Sequence, residues 1–218
     1  MAIIVLLLFV LAAKDYIGYY YFYKYKEARD QAQSIEKSFP ELERNLKKAV
    51  RLYKNPLFYE QMSRLYLEMA LAEDKYGTEE KRDFYLDQAR ESLIEQINQN
   101  PLDAHAYYDL GRVYLLYNFP LLTYAEKGRL YFRKALELKP ADEYLNVHII
   151  YIYLTQWESL NRPEKAFLFG QLGDVVKYNE NFIPQIRDLW KQNYGDTEKL
   201  KDILSTNKDL LSKLSDYF

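Results

Sequence analysis

Apolar residues along this chain fall into two regimes. Ala2 to Ala13 is an unbroken apolar run of twelve, AIIVLLLFVLAA; beyond it, hydrophobic positions recur at steps of three and four. That step is the repeat of one helical face. Leu42, Leu46, Ala49, Val50 and Tyr53 make one stripe, and Tyr59, Met62 and Tyr66 a second. Ala89, Leu93 and Ile97 follow, then Tyr107, Leu110, Gly111 and Tyr114, then Gly128, Phe132, Ala135 and Leu136. Ile149, Ile150 and Tyr153 carry a weaker stripe, with Ala166 and Gly170 as small residues in the helix after it. No stretch alternates with period two, so the predicted fold class is all-α.

Turn chemistry divides the stripes. Ser38-Phe39-Pro40 predicts an interruption, with Pro40 placed for a first helical turn. Asn55-Pro56 ends the next helix. Gly77 reads as a helix stop and Thr78 as an N-cap, and the helices on both sides are predicted to be longer than those that follow. Asn161-Arg162-Pro163 marks another turn. Gly195-Asp196 separates two closing helices, Phe182 to Tyr194 and Thr197 to Tyr217.

The twelve-residue run covers about 18 Å as a helix, less than a hydrocarbon core of about 30 Å. Three readings are open. A secretory signal peptide could be cut at Val10-Leu11-Ala12, although no Lys or Arg precedes the run. An anchor could extend through Tyr16 to Tyr23, its tyrosines forming an aromatic belt at headgroup level while Lys14 snorkels. A buried helix of a soluble fold is the third. We take the uncleaved anchor, which places residues 2–23 in a lipid bilayer. Residues 1–25 are then a membrane anchor or signal segment and 26–40 a helical stalk. Residues 41–178 are a repeat region and 179–218 are capping helices. Lys14, Lys24, Lys26 and Arg29 follow the run, which by the positive-inside rule points the remainder into the cytoplasm. A signal-like start and the absence of cysteine favour export. We expect a single-pass inner-membrane protein with its repeat domain on the periplasmic side.

The unit from Pro101 to Pro140 resembles a tetratricopeptide repeat (TPR). Tyr107, Leu110-Gly111 and Tyr114, then Gly128, Phe132, Ala135 and Pro140, follow that family's aromatic, Leu-Gly, Tyr, small, aromatic, Ala and Pro pattern. A lengthened turn at about Asn118 to Leu122 departs from it. Pro56–Asn100 repeats the pattern through Tyr59, Met62, Ser63 and Tyr66, with Gln96 where alanine is usual. Ala141–Tyr178 repeats it more weakly. The resemblance implies a helical-hairpin solenoid of about three repeat pairs with atypical terminal units.

Composition excludes more than it identifies. Thirty basic and 32 acidic residues give a formal charge of −2, with no electrostatic case for nucleic acid. The absence of cysteine removes disulfides, thiolate nucleophiles and thiolate metal sites together. His105 and His148 stand apart with no metal-ligand spacing, the glycines occur singly, and the serines lie in no nucleophile elbow. We expect no enzyme, no cofactor, no metal and no small-molecule substrate.

The TPR resemblance implies that the first helix of each pair lines a concave surface for a protein partner. Its register places Leu57, Glu60, Arg64 and Leu67 on that surface, then His105, Tyr108, Arg112 and Leu115, then Tyr144, Val147, Tyr151 and Leu154. Glu60, Arg64, Tyr108, Arg112, Tyr144 and Tyr151 are the candidate partner-binding residues. Paired arginines among tyrosines suit an extended or helical peptide that carries acidic residues. Alternatively, the arginines pair with Glu60 or Glu68 and the tyrosines are packing. The expected role is a membrane-tethered scaffold in assembly of an envelope complex, such as secretion, cell-wall or flagellar-collar machinery, with membrane-associated protein partners. The rivals are a permanent structural subunit of a large membrane complex and a cytoplasmic-facing regulator of a membrane enzyme.

Overall fold

A computed structural model of the chain describes residues 2–117, 122–178, 182–195 and 197–207, and every regular element among them is helical. The α-helices are α1 (Ala2–Gln31), α2 (Ile35–Leu52), α3 (Pro56–Tyr76), α4 (Glu79–Gln99), α5 (Ala104–Leu116), α6 (Leu122–Leu138), α7 (Glu143–Thr155), α8 (Arg162–Tyr178), α9 (Phe182–Tyr194) and α10 (Glu198–Ser205). Residues 1–134 form one compact unit and 135–218 a second.

In the first unit, consecutive helices pack side by side in chain order. α1 is one unbroken helix with two environments. Ile3 to Leu11 are exposed along their whole length, whereas Phe22 and Tyr25 are buried in the core. The change falls at Gly18, where a Cβ would lie 2.9 Å from Tyr53 Cβ and 3.5 Å from the Ala49 carbonyl. Only glycine lets α1 and α2 approach this closely. Tyr21 receives the Lys48 ammonium over its ring at 4.8 Å, so α1 and α2 run antiparallel. Tyr19, Phe22, Tyr25 and Arg29 of α1 meet Phe58, Gln61 and Glu68 in ascending order, so α3 runs parallel to α1.

This corrects three expectations. The belt of tyrosines is not uniform, because Phe22 stacks on Phe58 at 4.5 Å inside the protein while Tyr16 and Tyr23 face outward. The expected stalk, 26–40, is instead the end of α1 and the start of α2, joined at 32–34. Pro40 lies inside α2 rather than opening it. The ring removes one helical hydrogen bond, and burial of Phe39, Leu42, Leu46 and Ala49 outweighs that loss.

Gly77 and Thr78 close α3 and open α4 as predicted, with Thr78 Oγ1 accepting from Lys81 N at 3.3 Å. Both helices have 21 residues against 13 for α5. Arg82 is buried near their turn and pairs with Asp74 at 3.1 Å and Asp83 at 2.8 Å. Tyr66, fully buried, donates its hydroxyl to Glu43 at 2.8 Å. α5 and α6 touch through Gly111 and Gly128. A Cβ on Gly111 would lie 2.6 Å from the Phe132 ring and 2.9 Å from the Gly128 carbonyl. The lengthened turn expected at 118–122 falls almost wholly at 118–121, outside the described residues.

The second unit is built on α7. Asn146 has no exposed surface, yet both its polar atoms are partnered: Nδ2 donates to the carbonyls of Pro140 (2.8 Å) and Asp142 (2.9 Å), and Oδ1 accepts from Gln171 at 2.7 Å. Asn161 and Glu164 cap the start of α8 reciprocally at 2.9 and 3.0 Å, a capping box at the predicted turn. α9 lies along α7, with Trp190 buried and stacked on Tyr194 at 4.5 Å. The predicted Phe182–Tyr194 helix matches α9, and the last helix is described over Glu198–Ser205.

Candidate functional site

The stripes of α3 and α5 leave a cleft of about 260 Å³ in the first unit, lined by Glu60, Arg64, Gln96, Asp103, His105, Ala106 and Asp109. α3 supplies Glu60 and Arg64 from one helical turn, paired at 2.6 Å. The start of α5 supplies its cap and first turns. Asp103 Oδ1 accepts from the backbone N–H groups of His105 (3.1 Å) and Ala106 (3.2 Å). Its other oxygen accepts from Gln96 Nε2 at 2.9 Å. Asn55 plays the same capping part for α3, through Leu57 N at 2.9 Å.

Gln96 is the singular member. It is 2% exposed, and its carbonyl Oε1 has no hydrogen-bond partner. The amide cannot turn over to relieve this, because its nitrogen is needed by the Asp103 carboxylate. A buried acceptor without a donor costs roughly 1–3 kcal/mol, and here it borders a cleft.

Asp109 stands between the two guanidiniums. Arg112 Nη1 reaches it at 3.3 Å, and Arg64 acts on it from the α3 side. Burial holds its carboxyl above the usual carboxylate range, and the two arginines only partly offset that. The lining carries three carboxylates, Glu60, Asp103 and Asp109, against the one guanidinium of Arg64. A larger depression of about 420 Å³ at the α1–α2 turn includes Lys24, Glu27 and Glu41, but none of its lining residues is buried.

The predicted site residues separate into two groups. Glu60, Arg64 and Arg112 stand at the cleft or beside it. Tyr108 adjoins them but is buried, its ring 5.7 Å from Phe132 and under the Arg112 guanidinium at 5.7 Å, so it is a packing residue. Tyr144 and Tyr151 belong to the second unit. Tyr144 is exposed, with its ring 4.1 Å from that of His148. Tyr151 is half-buried against α9, where Tyr194 and Asn193 meet it and burial pushes its phenol up. Val147 and Leu154, expected on an open face, are buried. The predicted open face of α7 is thus occupied by α9, because its apolar residues needed covering.

Sequence reasoning missed Gln96, Asp103 and Asp109 as members of the site. One signal was available: Gln96 stands where the repeat pattern has alanine. Among the described residues, no group of His, Cys, Asp and Glu could hold a metal ion. No protein-family model matches the chain, and no curated protein matches it.

Proposed function

We propose that the chain is a membrane-tethered scaffold that holds a protein partner in the cleft of its first unit. The apolar first half of α1 supplies the tether, and the all-helical first unit presents the cleft in the manner of a TPR groove. One observation carries this reading: Gln96 keeps a buried, orientation-locked carbonyl without a donor at the wall of a cleft. The oxygen itself lies just beneath the cleft wall, so a partner group that shifts the lining side chains and donates to it removes the cost of leaving that bond unmade.

The chemistry of the lining favours a different partner from an acidic peptide. Glu60 and Asp109 already occupy Arg64 and Arg112, and carboxylates outnumber guanidiniums around the cleft. The fitting occupant is a donor-bearing group, such as the lysine or arginine side chain of a partner protein. Replacing Gln96 by leucine keeps the volume and removes the acceptor together with the Nε2–H donated to Asp103, so Asp109→Lys supplies an arm that leaves the α5 cap intact.

A photo-crosslinking residue at Arg64 tests this in native membranes. The expected result is a discrete protein adduct that Gln96→Leu or Asp109→Lys abolishes, with helicity by circular dichroism unchanged. Adducts equally strong in all three backgrounds defeat the cleft. A permanent structural role is the second reading. It is favoured by the far end of the α3–α4 pair, which exposes Leu71, Tyr76 and Phe84. Adducts at Tyr76 rather than at Arg64 support that role.

A further inference from the structure

Nothing flexible separates the apolar half of α1 from the folded half. The helix is continuous from Ala2 to Gln31, and the fold begins on it at Gly18. The junction is welded on two sides. Gly18 lies against Tyr53, and Tyr19 packs on Tyr53 and Phe58 with ring centroids 5.6 and 5.2 Å apart. The Tyr19 hydroxyl also accepts from Asn55 Nδ2 at 3.0 Å. The corner between α2 and α3 is therefore level with the point where α1 turns from apolar to polar.

That corner is cationic. Lys14, Arg51 and Lys54 are all exposed around it, and none appears among the described ion pairs; Asp15, half-exposed, is the acidic neighbour. Leu57, exposed, adds an apolar tip. We infer that this corner, built from Arg51, Lys54 and Leu57 beside Lys14, seats on the phosphate headgroups of an anionic bilayer. The inference rests on α1 being the tether. The apolar run from Ala2 to Ala13, which Lys14 ends, covers about 18 Å against a core of about 30 Å. A span that short pulls whatever is welded to its end down to the surface. Basic residues held there gain from anionic lipid. Because α3 runs parallel to α1, the first unit stands upright, with the Tyr76–Thr78 turn about 30 Å further out.

The chain has no cysteine, so single cysteines label it uniquely. The full chain is reconstituted in phosphatidylcholine vesicles containing phosphatidylglycerol, with a fluorophore at Leu7→Cys, Leu57→Cys or Tyr76→Cys. Nitroxide lipids carry the quencher in the acyl chain or on the headgroup. The acyl quencher should reach position 7. The headgroup quencher should reach 57 strongly and 76 hardly at all. Arg51→Glu with Lys54→Glu should weaken quenching at 57 by at least about twofold. Equal quenching at 57 and 76, no quenching at 57, or no change in the double variant each overturns the seating. An unquenched label at 7 removes the tether itself, and the inference with it.

Discussion

Two stripes that share one sequence register meet different neighbours in the two units. At the position held by Arg64 in α3 and Arg112 in α5, α7 carries Tyr151. Both arginines reach solvent and pair with a carboxylate on their own helix, at 2.6 and 3.3 Å. Tyr151 instead lies under α9, against Tyr194 and Asn193. The difference is hydropathy. α7 carries Val147, Ile149, Ile150, Tyr153 and Leu154 around most of its circumference, and all five are buried. A helix apolar all round must be covered all round. α5 keeps Asp109 and Arg112 on one side, and that side stays open. The arginine position is therefore left solvent-facing in the first unit, while the second unit has used the equivalent position for its own core.

The largest break in this comparison comes from placing one charge in both stripes. Leu154 is 1% exposed and Leu57 is 42% exposed. Leu154→Asp puts an unpaired carboxylate into the buried core of the second unit and should cost about 4 kcal/mol. Leu57→Asp should cost about 0.5 kcal/mol or less. Urea midpoints of the two variants measure the contrast, and a similar loss in both would show that the α3 stripe is covered too.

A smaller contrast sharpens the shared position itself. Tyr151→Ala removes a half-buried ring from the α7–α9 interface and should cost about 1–3 kcal/mol. Arg112→Ala removes a partly exposed ion pair and should cost about 1 kcal/mol or less. Thermal unfolding orders the pair. If Arg112→Ala proves the more damaging, Arg112 is a structural clamp on Tyr108 rather than the rim of a cleft.

Helix identity and most boundaries were legible because turn chemistry is local. Gly77 ends α3 through its backbone N–H, and the side chains of Thr78 and Asn161 begin α4 and α8. The partition of α1 was not legible. Tyr16 to Tyr23 is compatible with a headgroup belt and with a packed helix alike, and only the opposing Tyr53 and Phe58 decide that Phe22 is core. Pro40 misled for a similar reason, since its local cost is offset by burial of Phe39 against Tyr66 and Tyr85, distant in sequence. The cleft was half legible. Arg64 and Arg112 follow from the register that the TPR resemblance implies, but Gln96 and Asp103 come together only through the α4–α5 corner.

The smallest effect isolates Asp109, the residue that distinguishes the open stripe most subtly. Burial raises its carboxyl above the ordinary carboxylate value, so the folded state holds that proton more tightly than the unfolded chain does. Stability attributable to Asp109 is then gained as pH falls through the raised value towards about 4, and it is lost again as pH rises through that window. Asp109→Asn removes the titration and keeps the shape. Near neutral pH it should change stability by about 1 kcal/mol or less, since release from the burial cost and loss of the Arg112 pair oppose each other. On acidification, the wild type should gain on the variant. Paired urea titrations at neutral and mildly acidic pH read this difference directly. A variant that instead loses several kcal/mol at neutral pH would make Asp109 a buried structural anion fully compensated by Arg64 and Arg112. Asp109 would then be unavailable to a partner, and that part of the α5 face would be used up by its own fold, just as the α7 face is.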